Sequence, residues 1–492
     1  MVRPIHDILA PELISMILSL LDRHELARTS IVSRLFHALS LRYLYSSLVF
    51  RPPPTPSNDA SHPSPVVNRS TKPDPFRQRR ERLLRALSPS TVTTAQGTRG
   101  RLDPLQQSEV QLSAYVRSIH AIDYHDFEEQ WLDLARLVKN APALKQVVMT
   151  KKVVSQAEDS EEDQIDLESF WTELQRSESL NALTLVMGPS IPLGLDKFSN
   201  LTHLSIKSYS IDNLNDGSLP LTLTHLSLEY VHDFDASFVP PPLFANLCSL
   251  SLKNVPREVL VIITNAIQTF SSQTPRPISP LRKLILDAFP HGFACLSLTD
   301  HTWVPHIFPL FVALSPPTYS SLVDLELLST PAASREYVLD ARTLLHGLHA
   351  WFPRLERLVF TIGAGDEFID AYDMSAPSTR ATTSSADYAL WLGSFSEFKA
   401  LRSLTHNILF RTPAAIRTAC SETFTLIPTL DTLAVRTSTK KAFDFGKVII
   451  EDEIGVRKVE GGCKVKTVIH YGSLGMTEQE ARRRWPEAKL AT

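Results

Sequence analysis

Histidine is the side chain best suited to hold a metal or move a proton at neutral pH, and 16 of the 492 residues are histidine. Two pairs stand at informative spacing. His203 and His225 occupy the same place in two Leu-Thr-His-Leu-Ser segments, so on neighbouring strands they would stack. No cysteine or carboxylate at matching positions completes a four-ligand zinc set. His346 and His349 share one helical face but lack the glutamate of an H-E-x-x-H motif, and they read as core or surface histidines. The run Asp212-Asn213-Leu214-Asn215-Asp216-Gly217 imitates a calcium loop, but Leu214 fills a ligand position and Leu223 the place of the bidentate glutamate, which makes it a turn. Gly363 and Gly365 lack the third glycine of a phosphate loop. Ser473 lacks the preceding glycine of a nucleophile elbow. With no Ser/His/Asp set and no paired carboxylates, the expectation is a chain that is not an enzyme, with no catalytic residue, no metal and no cofactor.

Charge adds little. The 50 Lys+Arg and 53 Asp+Glu leave a net charge of -3, which gives no general pull toward nucleic acid or an acidic membrane. Arg77, Arg79, Arg80, Arg82 and Arg85 read as the solvated face of an amphipathic helix, and residues 158–163 as a mobile acidic insertion. Cys248, Cys295, Cys420 and Cys463 lie far apart, without C-x-x-C, which argues against a disulfide frame or zinc ribbon. The best apolar runs, 13–21 and 259–267, are shorter than the roughly 18–20 residues that span a bilayer. No basic n-region or small-residue cleavage site marks the first run as a signal peptide. The expectation is a reducing compartment, cytoplasmic and/or nuclear, with no membrane partner and with nucleic acid disfavoured, the arginine run being the one segment that could serve as a nuclear-import or nucleic-acid signal.

The elements that carry these residues follow from leucine, of which there are 68. The pattern L-x-x-L-x-L, with Phe360 or Val435 closing two copies and Ile206 another, recurs at 180–185, 201–206, 223–228, 247–252, 281–286, 322–327, 355–360 and 430–435. Degenerate copies stand at 116–121, 144–149 and 401–406. Alternating leucines point inward from a short parallel strand, and stacked copies build a core that no single unit could make. The spacers carry helix patterns at 128–139, 257–270, 334–352, 386–399 and 414–427, several ended by proline. Residues 79–87 read as a first outer helix. The style changes after 439: segments 447–451 and 464–471 predict a hairpin, and Thr477-Glu478-Gln479-Glu480 is a capping box opening a last helix.

Between the leucines, the third and fifth positions of each copy face away from the core. They offer a Ser/Thr ladder with two histidines early and mixed charge later. His203, Ser205, His225, Ser227, Lys283, Asp324, Glu326 and Arg357 are the candidate substrate contacts on this face.

The front end is greasier than its size can hide. From Pro11, where a helix can open, only Glu12, Ser15 and Ser19 are polar up to Leu21. Asp22 with Glu25 reads as a cap with an acid three residues on, starting a second helix to about Val32, and Ser33 caps a third with Phe36, Leu39, Tyr43 and Leu44. About 45 residues bury this much poorly alone, and the Pro/Ser-rich stretch 51–75 reads as an extended linker. A partner surface is expected.

Residues Ile8-Leu9-Ala10-Pro11-Glu12-Leu13-Ile14, Ile17-Leu18, Leu21-Asp22, Glu25-Leu26 and Ser30 to Phe36 resemble an F-box, with a Leu44-Tyr45-Ser46-Ser47-Leu48 continuation similar to that of fungal F-box proteins. Ala10 stands where the family usually carries proline, and Phe36 where tryptophan is frequent. The strand–helix alternation that follows resembles leucine-rich repeats of the ribonuclease-inhibitor type. The resemblance implies an α/β chain: an N-terminal three-helix F-box-like module (1–50), a linker (51–75), an irregular leucine-rich-repeat solenoid (76–439) and a C-terminal cap (440–492). It implies docking on the Skp adaptor of a cullin-based ubiquitin ligase through Leu9, Pro11, Glu12, Leu13, Ile17, Leu18, Leu21, Leu26, Val32 and Phe36. A substrate protein would lie on the repeats. The alternative is a non-catalytic repeat scaffold whose F-box-like segment no longer binds a ligase.

Overall fold

The computed structural model describes residues 11–32, 34–50, 87, 112–122, 131–150, 161–186, 194–210, 217–232, 235–253, 255–273, 275, 277–287, 304–314, 318–331, 345–363, 392–406, 422–443, 446–459, 462–470 and 489–491. The chain divides into two compact units, 1–223 and 224–492.

The first unit opens with three helices. Helix α1 (Pro11–Ser19) starts on a proline whose missing N–H costs nothing there. Helix α2 (Arg23–Ser30) is held by the expected reciprocal cap: the Glu25 amide donates to Asp22 Oδ1 at 2.8 Å, and the Asp22 amide to Glu25 Oε2 at 3.2 Å. Helix α3 is Arg34–Leu44. Ile14, Leu18 and Leu26 are buried between them, with Leu21, Leu35, Phe36, Leu39, Tyr43 and Leu44 packed around. The Tyr43 hydroxyl donates to the Ser15 carbonyl at 2.9 Å, so it accepts from the Ser15 hydroxyl at 2.7 Å, and α3 is pinned to α1.

Helix α3 runs almost directly into strand β1 (Ser47–Phe50), whose Leu48 and Phe50 are buried alternately. Strand β1 pairs in parallel with β2 (Ser118–Ile122), followed by β3 (Gln146–Thr150), β4 (Ala182–Val186) and β5 (His203–Ser210) in the same direction. The first strand therefore belongs to the tail of the helical segment, and the Pro-rich run falls in the sequence between β1 and β2. Arg23 reaches from α2 to donate to the Ser47 carbonyl. Helices α4 (Trp131–Lys139) and α5 (Glu161–Arg176) fill the spacers. Helix α5 corrects the reading of 161–163 as part of a mobile insertion, while 158–160 lie outside the described residues. Residues 161–163 are the first turn of a helix, where acids suit the N-terminal dipole, and Phe170, Trp171 and Leu174 anchor it in the core.

In the second unit, β6 (His225–His232), β7 (Ser249–Lys253), β8 (Lys283–Asp287), β9 (Asp324–Pro331), β10 (Arg357–Gly363), β11 (Ser403–His406) and β12 (Thr432–Phe443) pair in parallel in chain order. Helices α6 (Arg257–Ser271) and α7 (Val304–Ala313) and helical segments at 345–351, 392–396 and 422–426 occupy the spacers. Strand β12 then pairs antiparallel with β13 (Gly446–Val459), which forms a hairpin with β14 (Gly462–His470), and β15 (Lys489–Ala491) lies parallel to β14. Each unit is a solenoid-like α/β array. Among the described residues no helix is long and apolar enough to cross a membrane.

The repeated leucines do what their spacing requires. Leu247, Leu281, Leu322, Leu355, Leu401 and Leu430 are buried before their strands, and Leu250, Leu252, Leu284, Leu286, Leu325 and Leu327 within them. One carbonyl per repeat binds the next copy twice. Ser46, Arg117, Lys145 and Asn181 in the first unit each accept two successive amides of the following strand, as do Thr224, Cys248, Arg282, Val323, Glu356 and Arg402 in the second, at 2.7–3.1 Å.

Leu9, the linker 51–75, the basic run 77–85, residues 212–216, Gly365, the 471–475 segment and the Thr477 capping box lie outside the described residues. Gly217 is described, and its role is close approach: a Cβ there would stand 2.5 Å from the Gly194 Cα.

The copy at 401–406 ends in His406, in the slot that Leu252, Leu286, Leu327 and Phe360 fill elsewhere. The ring is fully buried and stacked on Phe395, with centroids 5.9 Å apart. Burial pushes its pKa from 6.5 down to about 4. Between those values the unfolded chain binds the proton more readily. The stability contributed by the neutral ring is therefore full above about pH 6.5 and lost as pH falls toward 4. Between pH 7 and pH 5 the wild type is expected to lose on the order of 2 kcal/mol that His406→Leu does not lose, read from urea unfolding of both proteins at both pH values. Equal losses would refute the assignment.

Candidate partner-binding surfaces

Helix α1 carries two apolar stripes. Ile14 and Leu18 face the core of the three-helix module. On the other side Leu13, Met16 and Ile17, continued by Leu20 in the closing turn, follow the i, i+3, i+4, i+7 spacing of one helical face and are exposed, Leu20 by 82%. Ile31 and Val32, just after α2, are exposed as well, Ile31 by 84%. A set of large apolar side chains this size on one small module is a feature of interaction surfaces rather than of inert ones.

Of the residues assigned to adaptor docking, Leu13, Ile17 and Val32 lie on this exposed set. Leu18 and Leu26 do not: both are buried in the module, because they are its innermost side chains. Leu21 and Phe36 pack against that core. Pro11 and Glu12 form the first turn of α1. Sequence reasoning missed Met16, Leu20 and Ile31. The signal was present, since an apolar arc wider than half a helix must show one side to solvent once the other is packed.

The second surface lies on the strands. In the first unit His203 stands in register beside Ala182, and Ser205 beside Thr184. The Thr202 hydroxyl donates to the Asn181 carbonyl at 3.1 Å and lies 2.9 Å from His203 Nδ1. In the second unit Thr224 lies 2.9 Å from His225 Nδ1, a repeat of the same local contact. His225 pairs in register with Ser249, and Ser227 with Ser251.

Four predicted residues converge. Lys283, Asp324 and Arg357 share one row across β8, β9 and β10, and Glu326 stands two residues further on the same side of β9. Arg357 donates to Asp324 Oδ1 at 2.7 Å and to Glu326 Oε1 at 2.6 Å. The Lys283 ammonium lies 2.9 Å from Glu326 Oε1 and 3.7 Å from Asp324 Oδ2. Two cations and two anions thus neutralise one another in a half-buried cluster. Such charge-assisted bonds fix long side chains in one arrangement.

The F-box domain family matches residues 7–43, which contain α1, α2 and all of α3 except its last residue. Comparison with curated proteins finds no match. F-box domains generally bind Skp within cullin-based ubiquitin ligases, so the match supports an adaptor role of that general kind.

Burial pushes the Glu326 carboxyl up, but the hydrogen bonds and charges of Arg357 and Lys283 outweigh it and hold the group below its ordinary 4.5. A carboxylate depressed in the folded state contributes stability above the unfolded pKa and loses it as pH falls through the folded one. Arg357 is 38% and Glu326 15% exposed, so solvent screening reduces the effect. Arg357→Met is expected to cost about 1–2 kcal/mol at pH 7, and the difference from wild type should shrink at pH 3.5. Urea unfolding at the two pH values measures both. A constant difference would refute the linkage.

Proposed function

We propose that this chain is the substrate-recognition adaptor of a Skp–cullin–F-box ubiquitin ligase. The observation that carries the reading is the exposed stripe Leu13, Met16, Ile17 and Leu20, with Ile31 and Val32 nearby, on a segment that matches the F-box family. In this reading residues 1–50 dock the Skp adaptor through that stripe. Leu18, Leu21, Leu26 and Phe36 hold α1 in place from inside. The array to about 439 consists of leucine-rich repeats of the ribonuclease-inhibitor type, and 440–492 caps them. Substrate contacts lie on the strand faces of the two units, at His203 and Ser205 in the first and at His225, Ser227 and the Lys283–Asp324–Glu326–Arg357 cluster in the second. The chain acts in cytoplasm or nucleus and forms no bond itself. Its mechanism is tethering, which raises the effective concentration of substrate lysines near a ubiquitin-charged enzyme bound elsewhere in the complex.

Burying one such side chain contributes roughly 1.5–3 kcal/mol. The full chain should therefore bind a purified Skp-type adaptor, and Ile17→Asp with Leu20→Asp should weaken binding at least roughly 30-fold. Both positions face solvent, so the module keeps its fold, which circular dichroism checks. Titration calorimetry gives the affinities. No adaptor binding by the wild type would leave a repeat scaffold, and full binding by the double variant would put the interface elsewhere.

A further inference from the structure

His346 and His349 lie one helical turn apart in the 345–351 segment that precedes β10. Glu397 lies 51 residues beyond His346, next to the 392–396 segment that precedes β11. Its carboxylate reaches both rings. Oε1 and Oε2 are 3.0 and 2.9 Å from His346 Nδ1, and Oε2 is 3.0 Å from His349 Nδ1. Ligand atoms of all three residues fall within 4.8 Å of one another. The rings are 5.3 Å apart, and His349 meets the Phe398 ring edge-on at 6.4 Å, which restricts its rotation. His346 is 70% exposed, so an aqueous ion has access.

We propose that His346, His349 and Glu397 form a binding site for a divalent transition metal of the zinc class, with water or a partner's side chain completing the shell. The argument is one of donor type and separation. Two imidazoles and a carboxylate, with one position open, are a known zinc set. Ligand atoms about 2.0–2.2 Å from a tetrahedral metal lie about 3.3 Å apart, so the histidine–carboxylate separations need to open by only a few tenths of an ångström, with the two imidazole nitrogens already within 4.8 Å of one another. Without metal each Nδ1 shares its proton with the carboxylate, and His349 Nδ1 also faces the His346 carbonyl. On binding, the metal takes the two Nδ1 lone pairs and each ring's proton moves to Nε2 through solvent. Giving up those hydrogen bonds selects metals with high imidazole affinity over magnesium or calcium. Bound metal would clamp the outer segments of two successive repeats, those preceding β10 and β11.

The test uses the full chain stripped with EDTA. Zn2+ titrated into it should bind and raise the melting temperature, and Co2+ should give the visible bands of a tetrahedral site. His346→Ala, at an exposed position, and Glu397→Gln, of the same shape, should each weaken Zn2+ binding by roughly 10–100-fold and abolish the cobalt bands, with unchanged circular dichroism. The chain's other histidines and its cysteines are present in every variant, so metal held by them would not respond to either change. No Zn2+ binding by the wild type, or equal affinity in wild type and both variants, overturns the site.

Discussion

The whole array depends on a carbonyl used twice. In each described unit the residue two before the inner leucine of a repeat, such as Thr224 or Arg282, takes two amides of the following copy on its two lone pairs. This double acceptance sets the register of each strand at its first residue, so each copy need only supply leucines at fixed offsets from that point. Spacer length is then free to vary, and the copies start 21 to 46 residues apart without disturbing the stack. The same constraint builds the polar cluster. Lys283, Asp324 and Arg357 meet because their rows are locked, and a slip of one residue would turn them into the core and leucines toward solvent.

The three-helix module has the opposite economy. Its interior is small, and α1 must give Ile14 and Leu18 to it. Nothing about that packing requires leucine, methionine and isoleucine on the far side of the same helix, where serine or lysine would stabilise a monomer equally well and resist aggregation. The outward stripe is therefore not accounted for by the packing of the module. Among the described residues, contacts that tie the module to its own array, such as Arg23 on Ser47 and the direct run of α3 into β1, leave that stripe exposed.

Much of this was legible locally. The Asp22–Glu25 cap, the leucine offsets and the terminal hairpin depend on residues a few positions apart, and they emerged at those positions. What escaped depends on distance or on competition between signals. Strand β1 was hidden because a four-residue strand at the end of a helical motif has no periodicity of its own. Helix α5 was hidden because an acidic run reads as disorder, although Phe170, Trp171 and Leu174 carry a helical spacing just behind it. Glu397 could not be joined to His346 across 51 residues without the stacking of two repeats.

That stacking gives segment 392–398 two chemistries at once. Leu392, Phe395 and Phe398 face inward, and Phe395 lies flat on the buried His406. Glu397, between them, turns outward to the paired histidines. An imidazolium forming at His406 has no place in an apolar slot and loosens the segment from within. On the outer side the Glu397 carboxylate lies within hydrogen-bond distance of both rings and holds the segment from without. A metal bound there would replace those hydrogen bonds with coordination to rings that have no proton on the ligating nitrogen. The inner side of this segment therefore depends on pH through His406, while the proposed metal would act on its outer side through different histidines.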